Sequence, residues 1–341
     1  MSDDDSDNSD KEEEQADERL ELFKAFVDKF EVELDDPVDT LGDLEELEEL
    51  DLSDKDLSEF PEDLTNAVPP NLRTLALEKN QLRQLPEGIA AFSQIAELYL
   101  RENQLGSLPG AIGKLTKLES LYLEDNQITA DGIPDEIAGL VESLVGLCLH
   151  RNLLTSLPSS VCKLVLLEEL YLNENQLDAL PEEIGLLVNL KELDIPGNKL
   201  TMLPASFSNL RRLEILHAEG NQLAKLPKGL GGLEALRKVY LQNNKLTKLH
   251  ASLGRCAKIE VLNVEDNCLS KVAKRIGDLP KLKHLLLANN EITELPFNPM
   301  EKAPQLRRLT LSGNNLSPQV LELEKQVALL QGVTEEAEDE G

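Results

Sequence analysis

The segment ELYLRENQLGSLP at residues 97–109 returns as ELYLNENQLDALP at residues 169–181. The pattern behind both, LxxLxLxxNxL, starts at Leu47, Leu72, Ile95, Leu118, Leu144, Leu167, Leu190, Leu213, Leu236, Ile259, Leu282 and Leu306. Eight of the eleven spacings are 23 residues and the others are 25, 26 and 24, which no ordinary helical or coiled-coil period produces. A repeat this short cannot bury its own apolar face, so each copy must stack on its neighbours into one continuous core. A single elongated architecture can then absorb a chain of 341 residues that would otherwise suggest two ordinary domains.

Within one unit, the alternation in LxxLxL predicts a short half-buried strand. The asparagine at position nine predicts its end, because an amide supplies both donors and acceptors to a turning backbone whose orphan groups would cost about 1–3 kcal/mol each. Eleven of the twelve copies keep it, and the first has Lys55, a substitution that a terminal repeat facing a cap tolerates. The chain continues as LP at Pro86, Pro109, Pro158, Pro181, Pro204, Pro227 and Pro296, and then xxIxxL leads it back along the outer side. His250 and Ala273 replace that proline in repeats nine and ten, where the outer path is expected to differ slightly.

From Leu47 to about Pro318 the chain resembles the leucine-rich-repeat family, and its LPxxIxxL half resembles the Ras-group subclass of intracellular members. The resemblance implies an α/β repeat fold: a leucine-rich-repeat solenoid, a curved horseshoe with a parallel sheet on its concave side and helical caps. It implies protein binding rather than one defined partner, with relatives that bind small GTPases or a protein phosphatase. The phosphatase branch asks for [RK]VxF, whereas KFEVEL at 29–34 ends in leucine where an aromatic is needed.

The expected organisation is a disordered acidic tail over 1–18, a cap helix and its connection over 19–46, twelve repeats over 47–317, a cap helix over 318–332 and an acidic tail over 333–341. In the first cap, Leu20, Phe23, Phe26, Val27 and Phe30 fall at helical spacing before the Asp36-Pro37 stop. That stripe reads as a seal for the solenoid end, with a detachable partner-binding helix as the alternative. Val320, Leu323, Val327 and Leu330, followed by Gly332, read as the second seal. Residues 1–18 are low in complexity, and Ser2, Ser6 and Ser9 among carboxylates suit either a solubilising tail or an acidophilic kinase.

The net charge of −30 sits mostly at the ends: residues 1–60 carry 26 acidic and five basic side chains, and 333–341 carry five acids and no base. Without a Lys/Arg footprint, a phosphate backbone is not an expected partner, and a basic protein is the better complement. No basic start leads into an apolar run and no apolar stretch of about 18 residues occurs, so neither secretion nor a membrane is expected. Cytoplasmic residence is the expectation, with the nucleus as the alternative. Cys148, Cys162, Cys256 and Cys268 have no CxxC or metal-type spacing and are expected as reduced thiols.

The positions between the leucines must point into the concave hollow. At position five the twelve repeats carry Asp51, Ala76, Tyr99, Tyr122, Cys148, Tyr171, Asp194, His217, Tyr240, Asn263, Leu286 and Thr310, a column that holds all four tyrosines of the chain. Tyrosine favours strands and cross-strand stacking for structural reasons alone. The functional reading, preferred here, is a row of binding hot spots. Glu97, Glu102, Glu124, Asp125, Glu169, Glu174 and Glu192 share the hollow in repeats three to seven, opposed by Arg101 and Arg151. Tyr99, Tyr122, Tyr171 and Tyr240, with Glu97, Arg101, Glu102, Glu124, Asp125, Arg151, Glu169 and Glu174, are therefore the candidate partner-binding residues, and the partner is expected to carry Lys or Arg anchors. Eleven gaps of about 4.8 Å give an arc of roughly 50 Å, room for a small domain of about 30 Å.

His150, His217 and His284 also fall on this face, in repeats five, eight and eleven, too far apart to share a metal. They read as dispersed surface histidines, and no metal or cofactor is expected. Cys148 is expected as an ordinary exposed cysteine, with a reactive thiol as the alternative. The insertion ADGIPDE in the 26-residue repeat reads equally as a partner contact or a tolerated loop. There is no GxxxxGK[ST], HExxH or GxSxG, and GAIGKL at 110–115 fits the repeat template. The sequence thus points to a monomeric, non-catalytic scaffold in signal transduction, by resemblance a binder of a Ras-type GTPase. The alternatives are an acidic chaperone-like binder of basic proteins such as histones, or a phosphatase regulatory subunit.

Overall fold

A computed structural model describes residues 4–34 and 36–330. The chain divides into two compact units, Met1–Leu153 and Leu154–Gly341. The first carries β1 (Glu49–Asp51), β2 (Thr74–Ala76), β3 (Glu97–Tyr99), β4 (Ser120–Tyr122) and β5 (Gly146–Cys148). The second carries β6 (Glu169–Tyr171), β7 (Glu192–Asp194), β8 (Ile215–His217), β9 (Lys238–Tyr240), β10 (Val261–Asn263), β11 (His284–Leu286) and β12 (Arg308–Thr310). In each unit the strands lie parallel and in sequence order, which is the sheet of a leucine-rich-repeat solenoid. Register is like on like: Tyr99 faces Tyr122 and His217 faces Tyr240. The aliphatic residues on either side of each position-five residue, mostly leucines, form the core, as with Leu98 and Leu100, both 0% exposed.

Each strand stops after three residues because an asparagine captures the turning backbone. Asn103 donates through Nδ2 to the carbonyl oxygens of Leu77 (2.9 Å), Leu100 (3.1 Å) and Arg101 (3.3 Å), and its Oδ1 accepts from the Leu82 N–H (3.0 Å). Two of these four bonds reach into the preceding repeat, so the amide both ends a strand and ties two repeats together. Asn198 and Asn244 repeat the arrangement. Lys55 has no preceding repeat to reach, and its Nζ donates instead to the Glu31 carbonyl (2.9 Å). Just before each asparagine, or before Lys55, the chain turns through a left-handed residue in all twelve repeats, with φ between 50° and 70°. Glycine fills that position at Gly197, Gly220 and Gly313. Elsewhere a residue with a side chain accepts strain that costs roughly 1 kcal/mol.

On the returning side the chain forms 3-10 turns, such as Glu87–Ala91 and Glu182–Leu186, entered from prolines whose ψ lies between 153° and 161°. His250 and Ala273 enter the same kind of turn at ψ 139° and 133°, the slight difference expected; His250 Nδ1 accepts from the Ser252 N–H in compensation for the missing ring. The ADGIPDE insertion forms the turn Ala130–Gly132 and enters the turn Asp135–Leu140, which stacks on the Gly110–Lys114 turn of the preceding repeat. Gly113 permits this contact, since a Cβ there would collide with the Glu136 carbonyl. The insertion therefore belongs to the returning side rather than to the tyrosine strands.

Helix α1 spans Asp4–Phe30, followed by α2 (Leu41–Glu46) and α3 (Asp63–Asn66). Phe23 and Phe26 are fully buried, and α1 packs on α2 and α3, with Lys29 paired to Asp63 at 2.6 Å. Residues 4–18, expected as a disordered tail, instead continue this helix. The run EEEQA has high helix propensity and contains neither Pro nor Gly, so nothing in it stops the helix that Phe23 and Phe26 anchor. Helices α4 (Pro299–Lys302) and α5 (Pro318–Leu330) close the second unit. On α5, Val327 is buried, and Glu324 Oε2 accepts from the Leu311 N–H (2.9 Å). In interior repeats that N–H bonds to the next strand, as Leu241 does to Asn263 (2.8 Å), so a cap carboxylate completes the edge of the last one. Ser2, Gly332 and the acidic stretch 333–341 lie outside the described residues.

Asn198→Ala removes four bonds from a site 6% exposed and is expected to destabilise the chain by about 3 kcal/mol. Asn198→Asp is expected to be no better, since a carboxylate cannot donate to the three carbonyls; chemical denaturation followed by circular dichroism compares the two. By contrast, Glu102→Gly relieves a left-handed turn at an exposed residue and is expected to stabilise by up to about 1 kcal/mol, read as a rise in melting temperature.

Candidate functional site

The strand face of the first unit is organised by one spacing. Adjacent parallel strands lie about 4.8 Å apart, close to the distance at which two aromatic rings stack. Tyr99 and Tyr122, opposite each other in register, stack at 4.5 Å with 5° between their planes. Glu97 lies two residues before Tyr99 on the same face, and its Oε2 accepts from the tyrosine hydroxyl at 2.6 Å. That hydrogen bond, with burial second, raises the phenol above its ordinary range. In the second unit, Glu169 accepts from Tyr171 in the same way (3.2 Å). The shared ELY of the two segments is thus a hydrogen-bonded pair written twice.

Position seven forms a second row. Arg101 grips Glu78 through two bonds, 2.6 and 2.7 Å, and so is held by a carboxylate that the sequence reading did not single out. Glu124, next along, is 8% exposed and its Oε2 is buried with no hydrogen-bond partner. Burial pushes its carboxyl above the usual carboxylate range. Glu102, Asp125, Arg151 and Glu174 occupy the left-handed turn position at the far end of the strands rather than the strand face itself. Arg151 holds Asp125 at 2.5 and 2.7 Å, and this pair lowers the Asp125 carboxyl. Both arginines of the candidate set are therefore engaged with carboxylates of their own chain.

The second unit carries a different constellation. His217 stacks on Tyr240 at 4.5 Å and 12°, with its Nδ1 3.3 Å from Glu219 Oε1. The hydrogen bond to Glu219 raises the imidazole above its usual value despite burial. Asp194 is pushed up to about 6, mainly by burial. One ligand atom each from Glu192, Asp194 and His217 lies within 4.8 Å of the others. The expectation that the histidines are dispersed surface groups fails for His217, which is half-buried among acids. Asp194 and His217 are adjacent in the position-five column of the sequence, and that adjacency is the available signal. Cys148 departs from expectation too: it is 8% exposed. Cys162 and Cys256 are buried free thiols, raised to about 12 and about 11 by desolvation.

Glu124 gives a pH test. Its folded-state carboxyl lies above the ordinary 4.5, so the folded chain binds the proton more tightly than the unfolded one. The ionised group therefore costs stability at neutral pH, and the cost disappears as pH falls below about 4.5. Glu124→Gln is expected to raise stability at pH 7 by on the order of 1 kcal/mol, with a gap to wild type that closes by pH 4, as read by thermal melts across pH.

A family model described as leucine-rich repeat region matches residues 144–319, and further leucine-rich-repeat models match 70–128 and 117–140. No curated protein sequence matches the chain. Among solved structures, a leucine-rich-repeat protein of Leptospira interrogans is 26% identical, with 87% of this chain and 97% of that one covered and a TM-score of 0.57. The ectodomain of the Arabidopsis thaliana receptor kinase GASSHO1/SCHENGEN3, solved in complex with Casparian strip integrity factor 2, is 29% identical over 79% of this chain and 33% of that one, with a TM-score of 0.68. An internalin of Listeria monocytogenes, 20% identical with 90% and 92% coverage and a TM-score of 0.66, shares the fold. No described helix is long and apolar enough to cross a membrane. With over half of its length matched by one model and two units built from the same asparagine-bound strand and turn, the chain belongs to the leucine-rich-repeat family.

Proposed function

We propose that the chain is a non-catalytic scaffold whose strand face binds a protein partner through Lys or Arg anchors. The observation that carries this is the Tyr99–Tyr122 stack, half-exposed beside Glu97 and Glu124, on a face whose Arg101 is already paired with Glu78. Stacked tyrosines offer rigid contact area with little side-chain entropy to lose, and the remaining charge of the face is negative. The fold suits this role, and among similar structures the GASSHO1/SCHENGEN3 ectodomain was solved with a bound factor. A cytoplasmic adaptor in signal transduction that binds a Ras-type GTPase is the finer reading, and it rests on the Ras-group resemblance. The phosphatase-subunit reading loses support from KFEVEL: Val32 is buried and Phe30 packs against Phe26 within the cap.

The test pairs affinity capture and mass spectrometry with a purified Ras-type GTPase titration, using wild type and Tyr99→Ala/Tyr171→Ala. The double variant is expected to lose about 2 kcal/mol per tyrosine, roughly thirtyfold for each, with moderate dependence on salt. Binding that survives the double change but disappears on deletion of 1–18 and 333–341, with steep salt sensitivity, overturns the reading and favours a chaperone-like binder of basic proteins.

A further inference from the structure

Three acceptor oxygens on the strand face of the second unit, Asp194 Oδ1, Glu219 Oε2 and Gln242 Oε1, are shut off from solvent and have no hydrogen-bond donor. They come from three consecutive repeats, and two of the residues, Asp194 and Glu219, act directly on His217. The titratable groups of the strands packed here are Glu169, Tyr171, Glu192, Asp194, His217, Glu219 and Tyr240, with Lys238 exposed at the start of β9. A buried group of acceptors without donors is costly, and a positive charge placed among them removes that cost.

We propose that Glu192, Asp194 and His217 form a binding site for a divalent transition-metal ion of the zinc type. One ligand atom from each already lies within 4.8 Å of the others. Bonds of about 2.1 Å in a tetrahedral site require ligand separations of about 3.4 Å, so closure takes a shift on the order of 1 Å at the ends of two flexible carboxylates. Glu219 Oε1, 3.3 Å from His217 Nδ1, accepts the Nδ1 proton and leaves the lone pair on Nε2, the arrangement in which a carboxylate orients a ligating histidine. Tyr240, stacked on the ring at 4.5 Å, limits its rotation. One imidazole and two carboxylates suit zinc better than calcium, which prefers six to eight oxygens. Two carboxylates also match the charge of a divalent ion. Three protein ligands leave the fourth position open toward the exposed strand face. This inference is independent of the proposed partner, since it concerns the isolated chain.

The experiment uses the full chain stripped with EDTA and titrated with ZnCl2 by calorimetry, and with CoCl2 by absorption. The chain has no Trp, so tyrosine emission can report an ion beside Tyr240. Wild type is expected to bind one Zn2+, and Co2+ is expected to give ligand-field bands without the thiolate charge transfer that Cys ligation would add, together with quenched emission. Asp194→Asn and His217→Gln are each expected to weaken binding at least tenfold, with unchanged circular dichroism and metal-free melting as controls for folding. A Glu219→Gln variant, whose amide oxygen can still accept from Nδ1, is expected to retain most of the affinity. No binding by wild type, binding untouched by both ligand variants, or a thiolate band overturns the proposal. So does a pocket that quenches only with arginine or lysine methyl ester, which assigns the acceptors to a partner's cationic side chain.

Discussion

The position-nine amide is the interaction on which everything else depends. A strand of three residues makes too few backbone bonds to be stable alone, and its leucines have no partner within their own repeat. Asn103 and its counterparts solve both problems with one side chain. They cap the carbonyls of their own turn and bond the backbone of the preceding repeat, and all but Asn314 do so at sites 5–8% exposed, where the bonds are protected from water. Stacking order, strand length and the direction of the turn all derive from that geometry. The first repeat, which has no repeat before it, is the one that uses Lys55 and turns it toward the cap helix.

Once the repeats are locked in register, each unit presents columns of like positions at the spacing of its strands. Columns convert small sequence differences into local chemistry. Two tyrosines in consecutive repeats become a parallel stack; Asp194, His217 and Tyr240 in consecutive repeats become a stacked imidazole beside half-buried carboxylates. The same arithmetic creates charge ladders along the strand entrances, where Glu260 bonds Lys283 at 2.6 Å and Arg237 at 3.1 Å. Exposed pairs of this kind contribute little to stability. The single carboxylate oxygens Glu124 Oε2, Asp194 Oδ1 and Glu219 Oε2 matter more, because each is shielded from water and accepts no hydrogen bond.

The sequence alone determined the repeat, its phase, the buried leucines, the asparagine turn and the placement of all four tyrosines in one column, because periodicity maps directly onto which side of a strand a residue faces. It also identified Glu97 and Glu169, which share that face two residues before a tyrosine. Tertiary structure decided what those residues do to one another. That Arg101 is bound by Glu78, that Glu324 completes the last strand, that Glu102 and Glu174 sit in left-handed turns and that Cys148 is covered all depend on distances between residues about 13 to 26 positions apart, or on backbone torsion, and neither is written in a pattern of letters. The helix over residues 4–18 escapes a compositional reading for a related reason: composition argues for repulsion, while the anchored phenylalanines beyond it supply a preformed helical end on which further turns add at low cost. Sequence fixes the face on which each side chain stands; only packing decides which neighbour it meets there and whether water is still present when they meet.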